Sequence, residues 1–283
     1  MEVRAYAKLN LTLDVIARRE DGYHDLRMVM QTVDLADTLT LTETEREGVQ
    51  VNTNLRYLPG NERNLAAIAA RKFWEFNGCN GKGLVIDLCK KIPVCAGMGG
   101  GSSDAAAALR ALNELSGTNL SVERLAEIGQ QVGSDVPYCV LGGTALAEGR
   151  GERLTALPGL PDCRVVICKP SFPISTPELF GCIDCRKIRC RPDTDGIVAA
   201  LWSKDLAGVA RRLYNVFEDV LTDRRGTEIA EIKGELISCG ALGAAMSGTG
   251  PTVFGLFDDE EKAKTAFGSL RNHYPDTFLT RPV

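Results

Sequence analysis

A glycine-rich loop with two serines is the segment of this sequence best suited to chemistry. Glycines let the main chain approach an anion closely and turn consecutive N–H groups toward it, and a helix that follows adds its partially positive amino terminus. The loop lies between a predicted strand and a predicted helix, which is the arrangement that this chemistry needs. Its residues, called the glycine loop below, are Pro93, Val94, Cys95, Ala96, Gly97, Met98, Gly99, Gly100, Gly101, Ser102 and Ser103. The pattern predicts a phosphate site that suits a triphosphate, with the two serine hydroxyls as further donors or as contacts to a metal ion.

A glycine-rich loop can also have roles that need no phosphate. Such turns are often plain connectors between a strand and a helix. A Walker loop ends in Gly-Lys-Ser or Gly-Lys-Thr, but no lysine occurs in residues 93–108. The dinucleotide fingerprint needs an acidic residue about twenty residues further on, where a helix is predicted instead. The His-Arg-Asp and Asp-Phe-Gly signatures of protein kinases are also missing from the sequence.

A carboxylate and an ammonium group elsewhere in the chain could serve the transfer of a phosphoryl group. A hydroxyl nucleophile gains from a carboxylate that accepts its proton and from a cation that steadies both the base and the transferred group. Asp135 lies in the turn Gly-Ser-Asp-Val-Pro, where Pro137 is expected to stop the preceding helix. Lys8 shares the polar face of a predicted strand with Asn10 and Thr12. Taken alone, Asp135 would be a turn or cap residue and Lys8 a solvated lysine; only the combination of motifs favours catalysis.

The hydrophobic pattern predicts a β-rich start followed by mixed helices and strands. Alternating apolar residues predict a half-buried first strand at residues 7–15. The other predicted strands are residues 28–35, 38–42, 49–52, 84–89, 163–168, 243–246 and 253–257. The predicted helices are residues 64–78, ending at Gly78 as a cap, and 104–115, 121–132, 194–202, 206–214, 228–239 and 260–270. A turn-rich stretch near residue 158 predicts the start of a second domain.

Composition narrows the class of protein further. A chain of 283 residues with 44% hydrophobic and 25% charged residues is typical of a globular enzyme. A net charge of -4 gives no attraction for nucleic acid or an anionic membrane, so neither is expected as a partner. The amino terminus lacks a signal-peptide pattern, and no apolar run approaches the roughly 18 residues of a membrane span. A cytoplasmic location is therefore expected.

Ten cysteines occur in the chain, and free thiols are expected because they are diluted over a long sequence without an export signal. Cys182, Cys185 and Cys190 form the one cluster that suggests a metal site. A closed zinc site needs four ligands, and no second pair follows at suitable spacing. No protein-bound metal is therefore expected there.

Three separated motifs resemble the GHMP kinase superfamily, named for galactokinase, homoserine kinase, mevalonate kinase and phosphomevalonate kinase. They are Ala7-Lys8-Leu9-Asn10-Leu11, the glycine loop, and the late turn with the residues after it, Ser247-Gly248-Thr249-Gly250-Pro251-Thr252-Val253-Phe254. Their order and spacing match that superfamily. The resemblance implies a two-domain α+β kinase, with an amino-terminal β-α domain (1–157), a ferredoxin-like carboxy-terminal α/β sandwich (158–283), and the active site in the cleft between them.

The same resemblance implies the cofactors and the transfer chemistry. ATP donates its γ-phosphoryl group, Mg²⁺ accompanies it, and Lys8 and Asp135 are the catalytic residues. The whole glycine loop holds ATP, Asn64, Leu65 and Lys90 lie near adenine, and Gly248, Thr249 and Gly250 lie near the phosphates. Cys95 and Ala96 stand at positions where the resemblance implies glycines. The expected partners are small molecules, and the expected state is a monomer or homodimer.

Within the superfamily, Asp21-Gly22-Tyr23-His24, the glycine triplet and the Gly133 to Pro137 turn resemble one branch. Its members phosphorylate the 2-hydroxyl of a methylerythritol that carries cytidine diphosphate, in non-mevalonate isoprenoid synthesis. The implied substrate residues are Asn10, Tyr23, His24, Thr176 and Phe180. Tyr23 and Phe180 would sandwich cytosine and His24 would bind its edge, although Gly181-Cys182 departs from the expected basic residue. The alternatives are another GHMP kinase, acting on homoserine or a mevalonate derivative, and a non-catalytic nucleotide-binding relative.

Overall fold

The computed structural model of the chain describes residues 1–78, 83–185, 188, 190–221 and 223–283. The strands are β1 (Glu2–Arg18), β2 (His24–Thr44), β3 (Val49–Thr53), β4 (Gly83–Cys89), β5 (Thr144–Gly149), β6 (Arg153–Leu157), β7 (Arg164–Cys168), β8 (Tyr214–Asn215), β9 (Gly243–Met246), β10 (Val253–Phe257) and β11 (Thr277–Thr280). The helices are α1 (Leu65–Phe76), α2 (Gly100–Leu115), α3 (Val122–Gln130), α4 (Val136–Leu141), α5 (Thr176–Cys185), α6 (Thr194–Trp202), α7 (Leu206–Ala210), α8 (Arg224–Ser238) and α9 (Glu260–Arg271), and a 3-10 helix covers Val216–Val220. None of the helices within these described ranges is long and apolar enough to cross a bilayer.

Two compact units make up the chain, and they interleave along the sequence. The first unit is Met1–Ala7, Leu35–Val94 and Gly99–Gly142; the second is Lys8–Asp34, Cys95–Met98 and Gly143–Val283. The long strands β1 and β2 therefore each contribute residues to both units. The predicted domain boundary between residues 157 and 158 stays a prediction.

In the first unit, β4 pairs antiparallel with β2 and parallel with β3. Helices α1 and α2 pack closely together, and α4 contacts both α2 and α3. The buried faces of α1 and α2 are rich in alanine, including Ala105, Ala106, Ala107 and Ala108. Small side chains allow two helix axes to approach closely, so the alanine tract brings the start of α2 against its neighbours.

In the second unit, a four-stranded antiparallel sheet has the order β11-β7-β10-β9. Helix α9 contacts β7 and α8 contacts β10, and the chain order from β7 through α8, β9, β10 and α9 to β11 is the βαββαβ arrangement of the ferredoxin-like fold. The predicted ferredoxin-like sandwich is thus confirmed. Elsewhere in this unit, β2 pairs with β5, and β5 with β6, while β8 pairs parallel with β1.

Several predicted elements differ from the observed ones. The two strands predicted at 28–35 and 38–42 are one strand, β2. Helix α2 begins four residues before the predicted start, and Pro137 lies in the first turn of α4 instead of only ending a helix. The helix predicted at 206–214 ends at Ala210, and Tyr214 belongs to β8. Asn64 and Ser121, where two of the helices are predicted to begin, are N-caps whose side chains accept helix N–H groups. The predicted cap at Gly78 is confirmed by its φ of 63°.

The prediction that the first strand is only half-buried is wrong. Its polar face is buried as well: Lys8 is 5% exposed, Asn10 and Thr12 are 0% exposed, and Asp14 is 6% exposed. A buried polar group is costly unless it is hydrogen-bonded or paired. The residues that hydrogen-bond to this polar face are therefore candidates for a functional site.

Candidate active site

The glycine loop bends through left-handed residues at alternate positions. Cys95, Gly97 and Gly99 have φ values of 53°, 73° and 67°, while Ala96 and Met98 between them are buried. Left-handed residues in alternation are typical of main-chain concavities that bind anions. The loop therefore has the backbone shape that the sequence predicted for a phosphate site.

The last residues of the loop form the first turn of α2. Gly99 is the N-cap of this 16-residue helix, and glycine has no side chain with which to satisfy the first N–H groups. Those donors and the helix dipole together favour an anion at this end. A side chain added at Gly101 would lie 3.0 Å from Leu65 Cδ1, which places Leu65 against the same turn.

The two serines of the loop have different surroundings. Ser103 is buried, and its hydroxyl donates to the carbonyl of Tyr6 at 2.5 Å. Ser102 is partly exposed, and its Oγ lies 4.0 Å from the position of a Cβ built on Gly133. Ser102 thus faces the turn that carries Asp135, and it is the hydroxyl with access to a ligand.

Asp135 occupies the N-cap position of α4 but does not cap the helix. Its backbone is αR, with φ -87° and ψ -10°, and its side chain accepts no capping hydrogen bond from α4. An ordinary capping role for Asp135 is therefore wrong. Asp135 is partly exposed to solvent.

A buried ion triad lies beneath the start of α2. The Lys90 ammonium donates to Asp37 and, at 2.7 Å, to Asp104 Oδ2. Asp37 Oδ1 also accepts the main-chain N–H groups of Lys91 and Ile92. All three charged side chains are almost inaccessible to solvent. The triad links the interior of β2, the segment after β4 and the first turns of α2, so it positions the loop.

Asp104 is the member of the triad most suited to hold a proton. Its Oδ1 has no hydrogen-bond partner among the described residues. Burial and the neighbouring Asp37 carboxylate raise the pKa of Asp104 to about 8, against the opposing effect of Lys90. For Lys90, burial alone would lower the pKa, but the two carboxylates raise it. The triad thus has one positive charge, on Lys90, for two carboxyl groups. Ionising both carboxyl groups would leave a buried negative charge without a partner, so Asp104 tends to stay protonated.

The raised pKa of Asp104 predicts a pH dependence of stability. The folded protein holds this proton more tightly than the unfolded chain, whose carboxyl has the ordinary pKa of 3.8. The free energy of unfolding should therefore fall as pH rises from about 4 to about 8, by at most about 1.4 kcal/mol per pH unit. Asp104→Asn should reduce this slope in urea unfolding at several pH values. The exposed Asp87→Asn should leave it unchanged, and an equal slope in wild type and Asp104→Asn would contradict the prediction.

Two of the residues predicted near adenine are engaged within the protein. Asn64 caps α1 by accepting from Ala66 N, and its amide donates to the Pro59 carbonyl. Lys90 is the centre of the ion triad. Their predicted contact with adenine stays a prediction. Leu65 packs on the glycine loop at Gly101, and the Lys90 ammonium lies beside the loop at Gly100.

In the second unit, the three sequence motifs meet in one hydrogen-bonded junction. Lys8 N donates to Met98 O at 3.0 Å. Asn10 N donates to Ser247 Oγ at 3.2 Å, and Ser247 Oγ donates to Gly97 O at 2.9 Å. The amino-terminal motif, the middle of the glycine loop and the late turn are therefore neighbours, although they are far apart in sequence.

Glycine is required where the loop and the late turn touch. A Cβ at Gly97 would lie 2.1 Å from the Ser247 carbonyl oxygen, and a Cβ at Gly248 would lie 2.8 Å from the Gly97 carbonyl oxygen. Both glycines also have positive φ. Asn215, which the sequence did not single out, holds the turn through bonds from its amide to the carbonyls of Met246 and Gly248.

Cys95 is the one left-handed residue of the glycine loop that has a side chain. A left-handed conformation costs a non-glycine residue about 1–2 kcal/mol, and glycine loses part of that gain through its greater freedom when unfolded. Cys95→Gly should therefore stabilise the protein by about 0.5–1 kcal/mol in urea unfolding. Ala96→Gly is the matched control: it lacks positive φ and is buried, so it should destabilise by about 1 kcal/mol. Equal effects of the two changes would rule out backbone strain at Cys95.

The side chains of Lys8 and Asn10 face the same way, as predicted. Lys8 Nζ donates to Asn10 Oδ1 at 2.7 Å, and the Asn10 amide contacts Met28 Sδ at 3.2 Å. A buried ammonium needs oxygen partners because desolvation penalises its charge. Asn10 supplies one and fixes the direction of the lysine side chain.

The residues predicted to bind cytosine lie at the start of β2 and on α5. His24 is 9% exposed, and its ring stacks on Phe180 with centroids 4.7 Å apart and an interplanar angle of 24°. Tyr23 is 53% exposed, and the Arg150 guanidinium lies 3.6 Å from the centre of its ring. His24 and not Tyr23 is thus the ring that stacks on Phe180 in this structure. Thr176 and Thr249 share a hydroxyl hydrogen bond of 2.8 Å, which joins α5 to the late turn.

A cavity of about 420 Å³ opens beside His24. This volume lies in the range of small-molecule sites. It is bordered by the end of β1, by α5 and by two arginines, Arg18 and Arg191. Asp184, which the sequence did not single out, lines the cavity and binds His24.

The three cysteines of the cluster lie on α5 and shortly after it. Cys182, Cys185 and Cys190 are free thiols. Within the described ranges, no group of three or more His, Cys, Asp or Glu side chains is placed to hold a metal ion.

The fold and the motifs define a class of kinase, and the comparisons with known proteins agree. The GHMP kinases N terminal domain family matches residues 64–143, and the GHMP kinases C terminal family matches residues 197–276. A crystal structure of homoserine kinase from Cytophaga hutchinsonii covers the whole chain with a TM-score of 0.77 at 20% identity, and 94% of that protein is matched. This likeness shows the shared fold.

More similar proteins narrow the class. A 4-diphosphocytidyl-2-C-methyl-D-erythritol kinase of Clostridium beijerinckii is 44% identical over all of both chains. The protein of that name from Exiguobacterium sibiricum is 47% identical over 99% of this chain and 96% of its own. A crystal structure of 4-(cytidine 5'-diphospho)-2C-methyl-D-erythritol kinase matches with a TM-score of 0.83 and 33% identity, over 100% of this chain and 99% of that one. The chain therefore belongs to the GHMP kinases and, among them, to the family of 4-diphosphocytidyl-2-C-methyl-D-erythritol kinases.

Proposed function

We propose that this protein transfers the γ-phosphoryl group of ATP to the 2-hydroxyl of 4-diphosphocytidyl-2-C-methyl-D-erythritol. The products are the 2-phosphate and ADP, in the synthesis of isoprenoid precursors by the non-mevalonate route. The observation that carries the proposal is the junction of the three motifs, in which Lys8, Gly97 and Ser247 become neighbours through main-chain and hydroxyl hydrogen bonds. A glycine turn that only connects a strand to a helix has no need of the other two motifs beside it. A ligand that contacts all three motifs does need them to be neighbours.

The triphosphate binds where main-chain donors are concentrated. The N–H groups of the first turn of α2 face an anion without competition from a capping side chain, because Gly99 is the N-cap. The late turn Gly248, Thr249 and Gly250 brings its main chain beside Gly97, with the Gly250 N–H bonded to the Ser247 carbonyl within the turn. Leu65 packs on the same turn of α2 and supports the assignment of the adenine end to its side of the loop.

In the transfer step, Asp135 accepts the proton of the acceptor hydroxyl as its oxygen attacks the γ-phosphorus. The bond from the γ-phosphorus to the bridging oxygen breaks, and ADP leaves with that electron pair. The Asp135 carboxylate does not cap α4, which supports this role. The buried Lys8 ammonium, held by Asn10, stabilises the negative charge that develops on the transferred group.

Mg²⁺ fits the donors of this site as an ion carried by the nucleotide. Mg²⁺ takes oxygen ligands and is commonly held by few protein oxygens together with substrate phosphates. Ser102 Oγ at the start of α2 is the hydroxyl suited to contact it, since Ser103 is bonded to Tyr6 and Asp104 is buried against Lys90. When bound, the ion neutralises charge on the phosphoryl oxygens.

The cytidine end lies with Tyr23, His24 and Phe180. Stacking of a base on aromatic rings contributes about 1–3 kcal/mol per base, and the exposed ring of Tyr23 is accessible to one. Thr176 reaches the late turn through Thr249, which supports its assignment between the cytidine and phosphate ends. We expect the protein to act in the cytoplasm, as a monomer or homodimer and without a nucleic-acid partner.

The test is ADP release by purified protein with ATP, Mg²⁺ and the diphosphocytidyl substrate. Homoserine and mevalonate serve as competing acceptors, and thermal protection by each compound reports binding separately from turnover. Turnover of the diphosphocytidyl substrate alone supports the proposal. No turnover of it, or preferred turnover of another acceptor, would refute it.

A further inference from the structure

One face of α5 carries three side chains spaced four residues apart. Thr176, Phe180 and Asp184 repeat at the interval that aligns side chains along a helix. The proposed function uses the first two and gives no role to Asp184. An acidic residue in the last turn of a helix opposes the helix dipole, so partners outside the helix must hold Asp184 there.

Those partners are His24 and Arg18. Asp184 Oδ1 lies 2.8 Å from His24 Nε2, and Oδ2 lies 3.3 Å from an Arg18 guanidinium nitrogen. The His24 ring is also stacked on Phe180, which in turn meets the edge of Phe217 at 5.0 Å and 85°. The imidazole is therefore fixed in plane and in rotation, with one nitrogen committed to a carboxylate.

We propose that Asp184 makes the site selective for cytosine over uracil by fixing the tautomer of His24; this inference rests on the proposed function. A carboxylate only accepts, so Nε2 carries the hydrogen and donates it, and Nδ1 of the neutral ring keeps its lone pair. Nδ1 then accepts from the exocyclic amino group of cytosine. Uracil has a carbonyl oxygen at that position, and two acceptors face each other without a hydrogen.

Asp184 is thus a positioning residue. Arg18 pairs with Oδ2 of Asp184, which keeps Oδ1 directed at His24. The role is distinct from stability, because it predicts a definite protonation pattern on one ring. It is also distinct from stacking, which does not tell one pyrimidine from another.

The tautomer can be observed directly in the native protein. The sequence has two histidines, His24 and His273, so ¹⁵N-histidine labelling gives two imidazole spin systems, which His273→Gln assigns. We expect the Nε2–H form for His24 in wild type and a loss of that preference in Asp184→Asn, since an amide can donate as well as accept. An Nδ1–H ring in wild type would overturn the inference.

Kinetics with the diphosphocytidyl substrate and its uridine analogue give the second readout. Asp184→Asn should raise KM for the cytidine compound and lower the cytidine-to-uridine ratio of kcat/KM about tenfold, with kcat changed less than twofold. Asp195→Asn, an exposed carboxylate paired with Arg27, is the control and should leave the ratio unchanged. An unaltered ratio in Asp184→Asn refutes the inference and leaves the proposed function intact. If wild type converts neither compound, the proposed function fails and the inference with it.

Discussion

Replacing Asp135 by asparagine is expected to lower kcat for phosphoryl transfer by a factor of about 10² to 10⁴, the contribution typical of a positioned general base. Asparagine has nearly the same shape and can still orient a hydroxyl, but it cannot accept its proton. KM for both substrates should change little, because the loss falls on the transition state. The measurement is coupled ADP release under saturating ATP and Mg²⁺.

The control for this result is Asp87→Asn, an exposed carboxylate of the same unit that accepts from Asn52. It should retain wild-type kcat. Thermal unfolding of Asp135→Asn should be measured beside the kinetics, so that a loss of kcat can be separated from a loss of folded protein. A fall in kcat of less than tenfold would show that Asp135 orients the acceptor and does not take its proton.

Replacing Lys90 by methionine is expected to lower the free energy of unfolding by about 3–5 kcal/mol, the cost of removing one partner of a buried ion pair. Methionine fills similar volume, so the loss reports charge and not a cavity. The Asp37 and Asp104 carboxyl groups would be left buried together without their cation. Urea unfolding at neutral pH measures the effect.

Two comparisons make the Lys90 result specific. Lys72→Met removes an exposed pair with Glu75 and should cost at most about 1 kcal/mol. Adding Asp104→Asn to Lys90→Met should recover part of the loss, since Asp37 keeps its two main-chain donors. If Lys90→Met raises KM for ATP without destabilising the protein, the predicted contact with adenine accounts for Lys90 better than the triad does.

The sequence predicted the parts of the fold that depend on local pattern. The starts of α1 and α3 could be predicted because each depends on local sequence: the hydrophobic period changes at Asn64, and Ser121 supplies a capping hydroxyl. The start of α2 was placed too late because glycine has low helix propensity, which hid the first turn at Gly100. The missed strand at Tyr214 pairs with β1, and such long-range pairing leaves little trace in the local pattern.

The same distinction applies to the site. The motifs around Lys8, the glycine loop and Ser247 could be recognised as separate segments, but their junction could not be derived from spacing. Asp37 and Asp184 were missed because their partners Lys90 and His24 are 53 and 160 residues away. The burial of the polar face of β1 has the same cause: it depends on residues such as Ser247 that only folding brings near.

Where Gly97 meets Gly248, two stretches of main chain are in direct contact, with no side chains between them. Side chains can absorb a small displacement by changing rotamer, but backbone atoms in direct contact cannot. A shift of the loop at Gly97 must therefore carry the late turn with it, and Thr249 passes that shift to Thr176 at the start of α5. The residues proposed to bind the phosphates and those proposed to bind the nucleoside should therefore move together, so a ligand bound at one place should displace the main chain at the other.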